Sequence, residues 1–411
     1  MTDTPCCRAC GTELSISLID LGATPLANSY VDPAKADRPD PTYPLHVRVC
    51  PNCFLAQVED AVPPDAIFSD YAYFSSYSPS WVAHAKAYCQ DAAQRFGLTK
   101  DSFVVEVASN DGYLLQHFVG MGVPVLGVEP AANVAEVARA AGVATEVAFF
   151  GRATAERLAA SHGKADLTAA NNVLAHVPDI NDFVAGFAAI LKPNGVASFE
   201  FPHLLRLMAQ CQFDTVYHEH FSYLSLLAVE RIFASQGLRV FDVEELPTHG
   251  GSLRVWACLA DAPRLDGPGL AHVRRMEEEA RLNQRASYEG FQPRVEQIRT
   301  DLNAFLGWAK GRGASVAAYG AAAKGNTLLN FCGVTAQDIA FVVDANPHKQ
   351  GRLLPGSRIP ILAPEALKDR KPDYVLVLPW NLMAEITTTV SYIGEWGGRF
   401  LRAIPKLEVM E

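Results

Sequence analysis

The chain has 411 residues, 49% hydrophobic and 19% charged, with 35 basic side chains against 45 acidic ones and a net charge of -10. That length suits about two or three domains with real cores and excludes a disordered chain, while the acidic balance argues against non-specific nucleic-acid binding. No apolar run reaches the roughly 18–20 residues of a membrane helix, and the opening MTDTPCCRAC has no apolar signal core, so a cytoplasmic protein is expected.

Five of the nine cysteines lie within the first 53 residues. Cys7-Arg-Ala-Cys10 and Cys50-Pro-Asn-Cys53 are two C-x-x-C pairs, and four thiolates close a tetrahedral structural zinc site. Redox chemistry at one pair is the alternative, and Cys6 competes with Cys7 as a ligand. The spacing of apolar residues predicts a helix over 80–97. The run Tyr71-Ala-Tyr73-Phe-Ser-Ser76-Tyr-Ser78 is dense in aromatic rings and hydroxyls and is expected over a ligand cleft, or simply packed on the core.

Next comes an alternation of strand and helix: FVVEVASNDGYLLQHF, VPVLGVEP, ADLTAANNVLAHV, a helix near 181–191, a KPNG turn and the strand VASFEFP. This is the pattern of a doubly wound α/β sheet. Its first loop departs from the Gly-x-Gly-x-x-Gly of dinucleotide folds. Ala108 takes the first small position, and Asn110-Asp111 stand where a second glycine is usual. S-adenosylmethionine (SAM) has no phosphate but carries an ammonium and a carboxylate. Glu106 beside such a loop suits the ammonium, and loop N–H groups suit the carboxylate. Glu129, at the end of the next strand, can accept both ribose hydroxyls. Asn172 and His176 follow a later strand at the sheet edge where ligands bind.

The segment Phe213-Asp-Thr-Val-Tyr217-His218-Glu219-His220-Phe221 combines a candidate base with a candidate oxyanion donor. If it forms one helical turn, Tyr217 and His220 share a face. His220 is read as the base, Tyr217 as the donor and Glu219 as an orienting group, with His218 the competing base. His249-Gly250-Gly251 reads as a bulge or a plain turn. Residues 268–312 are charged and helical, and their charge run reads as a solvated face. A second α/β unit then follows. Its loop Gly320-Ala-Ala-Ala-Lys324-Gly325-Asn326-Thr327 opens a helix and, with Lys324, suits a diphosphate. Asp344 stands where a Rossmann acid meets ribose, and His348 and Lys349 follow. No heptad zipper is present, so a monomer is the default.

CRACG, CPNC, EVASNDG, the Glu129-Pro130 pair, NNVLAHV, YHEHFSY, HGGSLR and YGAAAKGNT occur in this one order. The set resembles the SAM-dependent sugar C-methyltransferases of deoxysugar biosynthesis, which make branched sugars of the mycarose, tetronitrose and noviose type. The resemblance covers nearly the whole chain. It implies an α/β protein with a small N-terminal zinc-binding domain, a class I methyltransferase Rossmann-like domain and a C-terminal Rossmann-like domain, here bounded at 1–65, 66–262 and 263–411. It implies an NDP-4-keto-6-deoxysugar between the last two, methylated at carbon through an enolate. Methylation of oxygen or nitrogen is the runner-up, and a non-catalytic zinc and nucleotide scaffold a further alternative.

The expected catalytic set is His220, Tyr217, Glu219, Asn172 and His176. Cofactor contacts are expected from Tyr73, Ser76, Glu106, Ala108, Ser109, Asn110, Asp111, Glu129, Pro130 and Asn171. Substrate contacts are expected from Tyr319, Gly320, Ala321, Ala322, Lys324, Asn326, Asp344, His348 and Lys349, and zinc ligation from Cys7, Cys10, Cys50 and Cys53. Ala108 departs from the family's usual glycine and fits if its φ is negative.

Overall fold

Chain leaving each cysteine pair runs at once into extended structure, and this builds the first of three sheets. The computed structural model describes residues 5–59 and 75–410. Strands β1 (Ile16–Thr24), β2 (Tyr43–Val49) and β3 (Ala56–Val58) form an antiparallel meander. Alternation along β1 puts Ile16, Leu18 and Ile19 inside and leaves Ser17 and Asp20 in solvent.

The apolar, β-branched runs of the middle region become β4 (Val104–Val107), β5 (Val125–Val128), β6 (Thr145–Glu146), β7 (Ala165–Asn171) and β8 (Leu191–Pro202). β9 (Ser222–Tyr223) is only two residues long and leaves this region to pair with β3. β10 (Leu238–Leu246) and β11 (Ser252–Leu259) complete a seven-stranded sheet ordered β10-β11-β8-β7-β4-β5-β6, with β11 antiparallel to both neighbours. The KPNG segment lies inside β8 as a bulge: four residues of β8 oppose one of β7 between the Ala165–Leu191 and Leu167–Val196 pairs. The expected helix over 80–97 spans Pro79–Phe96, started by the Ser78 side chain and Pro79 and ended by Gly97 at φ 63°.

The charged stretch forms the helices Pro268–Glu279, Ala286–Glu289 and Phe291–Gly311. Two of its features depart from a solvated face. Glu277 is buried, accepting the N–H groups of Leu226 and Leu227 and a hydrogen bond from His203 Nε2 at 2.8 Å. It thereby caps the earlier helix Leu226–Ser235, whose first N–H groups need acceptors. The long helix buries Val295, Ile298, Leu302 and Leu306 in one core with Ile16, Leu18 and Val47 of the first sheet and Val316 and Leu376 of the last. The N-terminal sheet and the C-terminal unit are thus welded by apolar packing.

That last unit has β12 (Val316–Tyr319), β13 (Val342–Val343), β14 (Ile361–Leu362), β15 (Tyr374–Val377), β16 (Arg399–Arg402) and β17 (Glu408–Met410), ordered β14-β13-β12-β15-β16-β17. All pairs are parallel except the last. Strand order reverses between β4 and β7 in the middle sheet and between β12 and β15 here. A ligand crevice opens at each such point. No described helix is long and apolar enough to cross a membrane.

Candidate active-site cleft

The first crevice is lined by the loop after β4 and the chain leaving β7. Ala108 lies at φ 54° and Asn110 at φ 50°. The negative φ expected for Ala108 is therefore not what the loop adopts: a tight left-handed turn is needed, and alanine carries it with a steric penalty. Ser75 and Ser76 donate their N–H groups to Asn110 Oδ1 (2.9 Å) and Asp111 Oδ2 (3.0 Å), tying the end of the aromatic run to this loop. Tyr73 lies outside the described residues.

Glu129 accepts from the N–H groups of Asn110 (3.0 Å) and Ala131 (2.9 Å), so Pro130 and its neighbours bend around that carboxylate. Glu106 is buried, and burial first, then Glu129 and Asp111, push its carboxyl well above the ordinary range. Such a cluster calls for a cation. Among the described residues, Glu106 Oε2, Ser109 Oγ, Asp111 Oδ1, Asn171 Oδ1 and Asn172 Nδ2 are buried without hydrogen-bond partners. Unspent polar atoms around a carboxylate cluster fit the ammonium, carboxylate and hydroxyl groups of SAM.

Across the crevice lies the segment carrying Tyr217 and His220. It is not a helical turn: a β-turn closed by His220 N–H on the Tyr217 carbonyl (2.9 Å) brings the two rings to 4.0 Å. His220 Nδ1 faces the Thr215 carbonyl at 2.8 Å, and His176 Nδ1 faces the Glu219 carbonyl at 2.8 Å. A carbonyl only accepts, so both Nδ1 atoms carry the proton and both Nε2 atoms are bare. The two imidazoles meet edge to face at 4.6 Å. Burial, then the proximity of His176, hold His220 well below the ordinary histidine range, and burial takes His176 down to about 4. Both are neutral acceptors at neutral pH.

His218 differs. Its Nε2–H points away toward the carbonyls of Tyr43 (3.3 Å) and Pro44 (3.1 Å) in β2. Glu219 accepts from Asn28 Nδ2 at 2.6 Å, and burial raises its carboxyl.

The second crevice faces the same segment. Lys324 is half-buried, 3.3 Å from Asn381 Oδ1 and 5.0 Å over the Trp380 ring. Gly320 (φ 91°) lets Pro379 approach where a Cβ would lie 2.4 Å from it. Asp344 accepts the Ala321 N–H at 2.7 Å and the Asn346 N–H at 2.8 Å. The Ala321 carbonyl accepts from Lys349 Nζ (2.9 Å) and Tyr30 (2.6 Å). Ala322 closes a turn on Gly320, Asn326 Nδ2 is bonded to the Ala27 carbonyl at 2.6 Å, Tyr319 ends β12, and His348 lies outside on an exposed turn.

Sequence reasoning missed Asn28 and Tyr30, which no local pattern marks. It also left open a role for His249, which is strained at φ 55° and edge-on to Trp81 at 5.4 Å. A histidine before paired glycines was the available signal.

The four cysteines Cys7, Cys10, Cys50 and Cys53 bring their sulfurs within 4.8 Å of one another, with two S···S pairs at 3.5 Å. Tetrahedral Zn–S bonds of about 2.3 Å put sulfurs about 3.8 Å apart, so the set fits a closed structural zinc site. Cys6 lies outside it.

Three family models match the chain: a zinc binding domain over 7–68, a methyltransferase domain over 81–243 and a C-methyltransferase C-terminal domain over 247–405. The C-methyltransferase NovU of Streptomyces niveus is 38% identical over 404 residues, covering 98% of this chain and 96% of the relative. A ubiquinone biosynthesis O-methyltransferase of Bartonella bacilliformis is 31% identical over 94 residues, covering 23% of this chain and 38% of that protein. Among solved structures, the 1,6-didemethyltoxoflavin-N1-methyltransferase of Burkholderia thailandensis aligns at 17% identity with a TM-score of 0.37, over 50% of this chain and 95% of that one.

Two outcomes follow from the geometry of the loop and the cysteine cluster. Ala108→Gly should raise stability by about 0.5–1 kcal/mol, because relief of the left-handed alanine exceeds the added chain entropy. Thermal melting with and without SAM checks this, and a lower midpoint would contradict the assigned backbone. Cys53→Ser should strip the bound zinc and abolish turnover while SAM affinity stays within a few-fold, because β3 follows Cys53 directly and holds β9. Metal analysis beside isothermal titration with SAM reads both, and full turnover without zinc would refute the coupling.

Proposed function

This chain belongs to the C-methyltransferase family and is a SAM-dependent methyltransferase, and on that premise we propose that it methylates C3 of a dTDP-linked 4-keto-6-deoxysugar. One observation carries the reading: His220, neutral and with a bare Nε2, lies against the Tyr217 ring and the second bare imidazole of His176. Carbon beside a ketone is acidified when a base and an oxyanion donor converge on it, and this is that pairing. Methylation of an amine or hydroxyl needs no such pair.

SAM, when bound, supplies an electrophilic methyl on sulfur. Glu106 and Asp111 would hold its ammonium, Ser109 and Asn110 its carboxylate end, and Glu129 its ribose, with Ser76, Ala108, Pro130 and Asn171 around it. The residues of the cleft do the remaining work. His220 Nε2 takes the proton from the carbon beside the ketone, and the C–H electron pair moves into an enolate. The Tyr217 hydroxyl hydrogen-bonds the enolate oxygen. The enolate carbon would take up the methyl that bound SAM supplies, with S-adenosylhomocysteine as the leaving group, and His220 releases its proton to solvent. Asn172, His176 and Glu219 hold the sugar ring in line. The nucleotide end runs toward the loop at Tyr319–Ala322, with Asp344, His348 and Lys349 beyond. In this reading residues 1–65 bind zinc, 66–262 bind SAM, and 263–411 hold the sugar nucleotide.

Incubation with methyl-deuterated SAM and a dTDP-4-keto-6-deoxyhexose should yield label on ring carbon, located by NMR. Label on oxygen or nitrogen would overturn the enolate route. His220→Asn and Tyr217→Phe should each lower turnover about 10²-fold or more with SAM binding intact; near-normal turnover in both would remove them from the mechanism. Because burial keeps His220 unprotonated, kcat/KM should hold as pH falls through 6.5 and decline only further down. An acid limb centred at 6.5 would mean that the base is an ordinary exposed histidine.

A further inference from the structure

We propose that Lys324 is a catalytic residue of the transfer, its ammonium donating to the ketone oxygen as that oxygen becomes an enolate. The inference rests on the enolate reading above and departs from the diphosphate role that the glycine-alanine loop suggests in sequence.

The first observation is where the loop spends its donors. A diphosphate nest needs free backbone N–H groups. Here the Ala321 N–H is given to Asp344 Oδ2 at 2.7 Å, and the Ala322 N–H closes on the Gly320 carbonyl at 2.9 Å. The Asp344 carboxylate thus takes one of the loop's donors, and Lys349 at 3.7 Å balances its charge.

The second observation is what surrounds the ammonium. It touches Asn381 Oδ1 at 3.3 Å and the Trp380 ring at 5.0 Å. Trp380 is held by its Nε1–H on Asp214 Oδ2 at 2.7 Å. Asp214 is fully buried, its Oδ1 has no partner among the described residues, and its charge attracts Lys324. No carboxylate lies within 4.0 Å of Nζ among the described residues, so the ammonium is oriented by Asp214 without being neutralised in contact. Burial first, and the Lys324 charge in addition, disfavour protonation of His220 and His249. Thr327, one helical turn further on, donates to the Val216 carbonyl at 2.9 Å, clamping this helix to the segment that bears the base.

An ammonium with unspent N–H groups, in a half-buried cleft beside a neutral imidazole, is arranged for negative charge that appears during reaction. In the step, His220 takes the α-proton and the carbonyl π pair moves onto oxygen. Lys324 and Tyr217 then share that oxygen until the new C–C bond restores the ketone. No proton leaves Lys324.

Enolisation can be read without methyl transfer. The enzyme with S-adenosylhomocysteine and a dTDP-4-keto-6-deoxyhexose in D₂O should exchange the α-proton, followed by NMR. Lys324→Met should slow exchange at saturating sugar nucleotide about 10²–10³-fold, with sugar-nucleotide and S-adenosylhomocysteine affinities within about three-fold. Lys324→Arg keeps the charge but misplaces the donor, and should also be slow. Retained affinity in either variant reports an intact fold. Wild-type exchange at saturation, with only the sugar-nucleotide affinity lost, would overturn the assignment and return Lys324 to diphosphate binding. Absence of exchange in the unmodified enzyme would overturn the enolate reading itself.

Discussion

The cleft depends on how residues 213–223 are gripped, because this segment has almost no secondary structure of its own. Its one short strand, Ser222–Tyr223, exists only by pairing with Ala56 and Gln57 just after the zinc knuckle. His218 anchors it to two carbonyls of the N-terminal sheet, and Asn28 holds Glu219 from the same unit. From the opposite side, Thr327 holds the Val216 carbonyl and Trp380 holds Asp214. A loop fixed from several parts of the chain pays its ordering entropy during folding, so the proposed base and donor are placed before any substrate binds. The zinc unit is thereby a structural wall of the candidate cleft.

The two crevices then acquire opposite electrostatic characters. Around the loop after β4, Glu106, Asp111 and Glu129 crowd together, and burial makes ionisation of Glu106 and Glu129 costly without a cation. Across the cleft, His176, His220 and His249 are all held neutral by burial, with the Lys324 charge opposing protonation of His220 and His249. Under the proposed function the positively charged methyl donor would take the first side, and carbanion chemistry, which needs an unprotonated base near fixed positive charge, the second.

Between them runs a buried hub on Glu200. It accepts from His84 Nε2 at 2.9 Å and Arg254 Nε at 2.7 Å, and its carbonyl accepts the Asn172 N–H at 2.7 Å. The paired charges hold its carboxyl below the ordinary range despite burial. Through this hub the first helix of the middle unit, which carries Trp81 and His84, is locked to the chain leaving β7, and Trp81 in turn packs on His249.

What the sequence determined by itself was whatever local chemistry encodes. Paired C-x-x-C turns and the strand–loop–helix around EVASNDG depend on neighbours in the chain and were legible there, as was the nearness of Tyr217 to His220, although a β-turn and not the expected helical turn creates it. Even the family resemblance rests on short runs in one order. Only the tertiary structure decided matters that turn on distant contacts. Which histidine carries a bare nitrogen toward the cleft depended on β2 carbonyls some 175 residues away from His218. Asn28 and Tyr30 carry no periodicity or motif, and they matter because apolar packing brings the N-terminal sheet against the C-terminal unit. The left-handed turn at Ala108 and the orientation of Lys324 likewise follow from backbone closure and from Asp344 and Asp214. Sequence spacing encodes which groups share a helix or turn; it does not encode which donors a folded neighbour has already spent.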